Sequence, residues 1–338
     1  MLSANSHVFS WITSAPTAIN RIIEVKEDMS LGFVFPGQGS QSVGMVSALA
    51  KSYSSVKTTF EEGSDALGYD LWTLVENGPA EELNKTDKTQ PALLASSVAV
   101  WRVWQEQGLP QPSIMAGHSL GEYSALTCAG AIEYSDALQV VSQRGQFMQA
   151  AVPEGQGAMA AILGLEDDQV IQLCEAAAEG QVLSAVNFNS PGQVVVAGET
   201  AAVDRAVAAA SEAGARRALV LPVSVPSHCA LMRPAAEQLA ETLKSIEIAS
   251  PQIDVIHNVN VGATQDAEEI RSLLVQQLYS PVRWVETIQH FSSVGVSNII
   301  ECGPGKVLAG LNKRIVKGLP TSPVYDAATL EKASISLN

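Results

Sequence analysis

The chain reads as an α/β protein with a small ferredoxin-like unit inserted into a larger, discontinuous domain, and three stretches of its 338 residues predict this. Leu31–Phe35 has the character of a short buried strand and runs into the glycine-rich turn Pro36-Gly37-Gln38-Gly39-Ser40. Ile114–Gly117 repeats the pattern, a brief apolar strand, a turn, then a helix from about Leu120 towards Cys128. Between Gly157 and Leu221 the rhythm changes to strand (Ala158–Leu163), helix (Asp167–Ala178), strands (Val182–Asn187 and Gln193–Ala197), helix (Ala201–Ala213) and strand (Arg217–Leu221). That order is βαββαβ, the ferredoxin-like unit with two helices on one face of a compact sheet.

The remaining elements follow in order. Residues 1–28 have weak periodicity and are expected to be a leader, disordered or extraneous to the domain. Helical spacing begins near Val43 and recurs over Leu93–Gln107, with Trp101 and Trp104, and over Ala137–Gln149. After the insert the α/β pattern resumes with Ile253–His257, a helix over Ile270–Leu278, Asn298–Glu301, and a helix over Lys306–Val316. The expected division is therefore 29–154 plus 223–338 for the large domain and 155–222 for the small one.

An apolar fraction of 46% against 16% charged residues suits a packed enzyme and argues against a disordered scaffold. The net charge of −15, with 20 scattered basic residues, makes nucleic acid a poor partner. Four cysteines without a C-x-x-C pair point to a reducing compartment, with cytoplasm as the default, and to neither a zinc site nor a disulfide framework. No apolar run reaches the roughly 18–20 residues a membrane helix needs.

Gly117-His118-Ser119-Leu120-Gly121 is a G-x-S-x-G motif between a strand and a helix, the context of a nucleophile elbow. Glycines permit the tight turn, and the helix N-terminus favours developing negative charge. Ser119 then needs a base. His7 lies in the leader, His118 is expected to point away from its neighbour, and His290 belongs to an amphipathic helix. His228, in the proline-stiffened loop Val225-Pro226-Ser227-His228-Cys229, is favoured over His257. No Asp or Glu stands out as a third member, so a carbonyl is the expected orienter of the imidazole. Spacing alone makes Arg144 a solvated helix arginine.

Seven short motifs in order carry a resemblance: Phe35-Pro36-Gly37-Gln38-Gly39-Ser40-Gln41, Thr89-Gln90-Pro91-Ala92, Gly117-His118-Ser119-Leu120-Gly121-Glu122, Gln143-Arg144-Gly145, Pro226-Ser227-His228, Gln277-Leu278-Tyr279-Ser280-Pro281-Val282-Arg283-Trp284 and Glu301-Cys302-Gly303-Pro304-Gly305-Lys306-Val307-Leu308. From about Met29 to about Val316 the chain resembles malonyl-coenzyme A:acyl carrier protein transacylases and, more loosely, the acyltransferase domains of polyketide and fatty acid synthases. The resemblance implies a large domain like the α/β-hydrolases. It makes Ser119 the acylated nucleophile, His228 the base and Gln277 the residue that orients it. Gln38 and Leu120 would supply oxyanion-hole N–H groups, and Arg144 would hold the malonyl carboxylate, with Gln90, Asn187 and Asn189 about the same pocket. Asn189-Ser190-Pro191-Gly192 reads equally well as hairpin-turn chemistry. The loop Val225-Pro226-Ser227 departs from the synthase domains, which often carry an aromatic or a second histidine there.

The partners implied are malonyl-coenzyme A and an acyl carrier protein, with no metal or redox cofactor, and the expected state is a monomer. Carrier proteins are acidic, and Lys313 and Arg314 lie in the densest cationic stretch, so they are the expected docking residues. A polyketide-pathway transferase, a serine (thio)esterase and a catalytically silent carrier-binding module are the rival readings.

Overall fold

The computed structural model describes residues 30–223 and 225–337; the expectation for 1–28 lies outside them. Among the described residues the strands are β1 (Ser30–Phe35), β2 (Ile114–Gly117), β3 (Gly157–Leu163), β4 (Leu183–Ser190), β5 (Gln193–Glu199), β6 (Arg217–Val220), β7 (Asp254–Ile256), β8 (Val296–Cys302) and β9 (Thr321–Val324). They form two sheets. The five-stranded one, in the order β7-β2-β1-β8-β9, is parallel throughout, and the four-stranded one, β4-β5-β3-β6, is antiparallel. The chain is thus a mixed α/β protein, and the segment 157–220 runs βαββαβ as its periodicity predicts.

A parallel sheet needs cover on both faces, and β1 reads as a continuous apolar run for that reason. Alternation sends Phe33 and Phe35 to one face, where Phe33 packs edge-on to Trp101 and Trp104 at centroid distances of 5.4 and 5.1 Å. Val34 faces the other way, in one cluster with Ala116, Ile256, Ile288 and Leu308. The small sheet buries one face on helices Asp167–Ala178 and Thr200–Ala210. Its other face, with Met159, Val186, Val195 and Ala197, packs on Cys229 beside His228.

Two differences from the sequence reading bear on the site. The helix expected over Leu93–Gln107 begins at Thr86 and contains Pro91, so Gln90 is helical and buried, not part of a turn. Proline removes one intrahelical donor, and burial of nearly every residue from Thr89 to Val100 outweighs that loss. Strand β4 extends to Ser190 with register shifts between Ala185 and Asn187 and between Phe188 and Ser190. Bulges re-aim side chains, and here they leave Asn189 in the strand, outside the hairpin turn. The same strand is laced to the large sheet's side of the molecule: Phe188 N–H donates to Val282 O (3.1 Å) and Val282 N–H to Val186 O (2.8 Å).

Buried Glu301, on β8, accepts the N–H groups of Leu308 (2.9 Å) and Ala309 (2.8 Å) and so fixes the start of helix Val307–Ile315. Burial pushes its carboxyl up to about 7, against those same hydrogen bonds. Among the described residues no helix is long and apolar enough to cross a membrane.

Phe35 and Gly117 are register partners at the carboxyl ends of β1 and β2, so the turns that follow them lie side by side. Open α/β sheets bind ligands at that end. The approach is close: a Cβ on Gly117 would sit 1.8 Å from Gly121 C, and one on Gly121 would sit 2.0 Å from Phe35 O. Both obstacles are backbone and cannot swing aside. Gly121→Ala is therefore expected to destabilise the fold by about 3 kcal/mol or more, checked by urea unfolding; a melting curve like the wild type's would contradict the close approach.

Candidate active site

Ser119 follows β2 directly and precedes helix Leu120–Cys128, with φ 52° and ψ −109°. A non-glycine residue in that region is strained by about 1–3 kcal/mol and persists only where its surroundings hold it. The conformation brings Ser119 Oγ to 2.8 Å from His228 Nε2. His228 also has positive φ, 66°, and its N–H donates to Leu278 O (2.9 Å). Its Nδ1 lies 2.7 Å from the backbone oxygen of Gln277. A carbonyl only accepts, so Nδ1 carries the proton and Nε2 presents its lone pair to the serine hydroxyl. Burial first, and the charge of Arg144 next, push the imidazole down to about 3, which keeps it neutral at ordinary pH.

Arg144 projects from helix Tyr134–Ala151 and is fully buried, contrary to the solvated arginine its spacing suggests. Nη1 donates to Gln90 Oε1 (2.8 Å), and Nη2 donates to Gln277 Oε1 (2.9 Å) and lies 3.3 Å from Ser119 Oγ. Its Nε finds no acceptor, and its guanidinium lies 5.3 Å from the Tyr123 ring centroid. Among the described residues no carboxylate pairs with it directly; Glu122 stands one amide away, accepting from Gln277 Nε2 at 2.8 Å. A buried cation without an anion is costly, and this one is held by neutral acceptors beside Ser119.

The structure thus gathers Ser119, His228, Gln277, Arg144 and Gln90 in one network. Gln277 contributes its backbone oxygen to His228 and its side chain to Arg144, Glu122 and Ser119 O (3.0 Å). Leu120 is the first residue of its helix, where N–H groups have no intrahelical acceptor, and Gln38 is exposed in the turn after β1. Asn189 Oδ1 lies 2.8 Å from His118 Nε2. Among the described residues Asn187 Oδ1 is buried without a partner, and no hydrogen bond joins Asn187 to Ser119, His228 or Arg144. Lys313 and Arg314 are exposed in the last turn of helix Val307–Ile315, but Arg314 Nη2 donates to Gln193 Oε1 (2.6 Å), so that cation already ties the helix to the small sheet.

His118 is half-buried, packed on Trp284 with ring centroids 5.5 Å apart, and bonded to the small sheet through Asn189. The bulge in β4 is what reaches it. His257 Nδ1 donates to Glu122 Oε1 (2.7 Å), and among the described residues no hydrogen bond joins His257 to Ser119. Sequence reasoning missed Asn258, whose side chain contacts the backbone on both sides of His118. Its position just past a parallel strand was the available signal.

The chain belongs to the acyl transferase domain family, whose model matches residues 32–332. Its relatives include the malonyl CoA-acyl carrier protein transacylase of Salmonella typhimurium, 59% identical over 301 residues that cover 89% of this chain and 97% of the relative. The protein of that name from Haemophilus influenzae is 62% identical over 298 residues, 88% and 95% of the two chains. Among solved structures, an acyl carrier protein S-malonyltransferase from Vibrio cholerae superimposes with a TM-score of 0.89 at 60% identity, covering 90% of this chain and 99% of that one. A malonyl-transacylase solved in complex with its type II PKS acyl-carrier protein gives 0.90 at 57% identity, covering 91% and 99%.

The depressed His228 basicity has a sign that can be checked. The unfolded chain, with an ordinary imidazole near 6.5, binds the proton that the folded state refuses down to about 3. Stability is therefore lost as pH falls through that window, by about 1.4 kcal/mol per unit. His228→Gln removes this loss, so between pH 7 and pH 5 its unfolding free energy should improve relative to wild type by about 2 kcal/mol. A difference that does not change with pH would mean the imidazole titrates normally.

Proposed function

We propose that the chain transfers a malonyl group from malonyl-coenzyme A to the phosphopantetheine thiol of an acyl carrier protein, through a malonyl ester on Ser119. The observation that carries this reading is the buried guanidinium of Arg144, without a carboxylate partner and 3.3 Å from Ser119 Oγ. A guanidinium takes a carboxylate through two parallel charge-assisted bonds, a geometry that favours a dicarboxylic half-ester over a plain acyl group. The names of the relatives agree with it, and the solved complex of one of them supports a carrier protein as partner.

In the first half-reaction His228 Nε2 takes the Ser119 proton while Oγ attacks the thioester carbonyl. The N–H groups of Gln38 and Leu120 receive the oxyanion. Coenzyme A leaves as the tetrahedral intermediate collapses, taking the proton back from His228. In the second, the carrier thiol gives its proton to His228, its sulfur attacks the ester carbonyl, and Ser119 leaves and is reprotonated. Gln277 orients the imidazole through its backbone oxygen, Gln90 steadies Arg144, and Asn189 with Asn187 forms the small-sheet wall. Thioester, ester and thioester are close in energy, so no cofactor is required.

We assign residues 29–154 and 223–338 to a domain of α/β-hydrolase type and 155–222 to a ferredoxin-like subdomain; the β4-β5-β3-β6 order supports the latter. A cytoplasmic monomer that supplies fatty acid elongation is the simplest setting. A polyketide carrier is the second reading, favoured by the 57% identical transacylase bound to such a carrier. A hydrolase is disfavoured because Arg144 selects a charged acyl group and no acid touches His228.

Intact-protein mass after brief exposure to malonyl-, acetyl- or methylmalonyl-coenzyme A tests the reading. A malonyl-sized adduct is expected, absent in Ser119→Ala, and formed about a hundredfold or more slowly in Arg144→Ala, with relative gain for acetyl. No adduct with any donor and no free acid released would leave a silent binding module. For carrier docking, Lys313→Glu alone is the cleaner variant because Arg314 also holds Gln193. It should raise the KM for carrier protein about tenfold with kcat unchanged; an unchanged KM would remove Lys313 from the interface.

A further inference from the structure

We infer that Asn258 is a positioning residue that clamps the strained backbone of Ser119 in its reactive conformation. The inference rests on the reading of Ser119 as nucleophile. Asn258 stands just past the carboxyl end of β7, the strand beside β2, and is fully buried. Its Oδ1 accepts the Ser119 N–H at 2.8 Å, and its Nδ2 donates to Gly117 O at 2.6 Å. One side-chain amide therefore spans the turn, on either side of His118, as a neighbouring peptide would in a sheet. Its own N–H donates to Glu122 Oε2 (3.0 Å), and that carboxylate also takes Gln277 Nε2 (2.8 Å) and His257 Nδ1 (2.7 Å).

The clamp matters because nothing local holds φ 52° at a serine. The N–H of Ser119 lies ahead of the helix and the carbonyl of Gly117 ends the strand, so neither has its next ladder or helical partner. Without Asn258 both would be buried and unpaired, and the turn would relax toward an ordinary conformation that carries Oγ away from His228. Arg144 and Gln90 reach the site from other helices and are untouched by this loss.

Asn258→Ala tests it through the first half-reaction. Displacing a reacting atom by about 1 Å costs about a hundredfold, so kcat for acylation by malonyl-coenzyme A should fall by about that factor. KM should stay within about twofold, the signature of a loss felt in the transition state. Asn312→Ala is the control for mere structural damage: Asn312 is equally buried, holding Trp284 Nε1 (3.0 Å) and Thr321 Oγ1 (3.2 Å). Its acylation kcat should remain within about threefold of wild type. Equal losses in the two variants, or a kcat for Asn258→Ala within about threefold of wild type, overturn the clamp.

Amide hydrogen exchange of Ser119 in the wild type decides the matter if Asn258→Ala does not fold. Strong protection is expected for an N–H bonded to a buried acceptor, and free exchange overturns the proposal. Wild-type protein that protects Ser119 yet forms no acyl adduct would refute the function and leave the clamp standing.

Discussion

Arg144 holds a guanidinium at zero exposure with no carboxylate against it among the described residues, a costly placement, and much of the site is arranged around it. Its charge is spread over neutral acceptors, Gln90 Oε1 and Gln277 Oε1, with the Tyr123 ring nearby. Only at the next remove does an anion appear, Glu122, reached through the Gln277 amide. Had Glu122 touched Arg144 directly, the two would have formed a closed ion pair and the cation would have nothing left to offer a ligand. The intervening glutamine keeps the charge available while the network as a whole stays near neutrality.

Backbone geometry imposes the second requirement. Two turns leave adjacent parallel strands, and they pass within contact distance of each other. Glycine at 37, 117 and 121 is the condition for that: a Cβ at Gly37 would meet His118 O at 2.4 Å, as the other two would meet backbone at 2.0 Å or less. The strain then falls on Ser119, and the bonds that oppose it come from β7 and from helix Ala267–Gln277, not from the turn itself.

Local patterns were legible in the sequence because they depend on neighbours in the chain. The strand before Gly117 and the helix from Leu120 appear where the apolar spacing puts them, and Asp167–Ala178 agrees to the residue. The helix that carries Gln90 starts at Thr86, ahead of the Leu93 that the spacing suggests, because burial of the whole helix overrides the disruption by Pro91. The fate of Arg144 was not readable from spacing, since nothing in helix Tyr134–Ala151 says which partner its long side chain meets. Asn258 lies 139 residues from Ser119, and a side chain that completes another segment's backbone bonding leaves no periodic trace. Motif resemblance singled out Ser119, His228 and Arg144; the groups that hold them come from distant parts of the chain.

His228 and Arg144 also act on each other. The imidazole is a weak base partly because a cation stands nearby, the second cause of its depression after burial. A carboxylate paired with Arg144 cancels that repulsion, so the base strengthens when an acyl group bearing a carboxylate is in place. On the proposed reading, selectivity and reactivity share one electrostatic origin, the Arg144 charge.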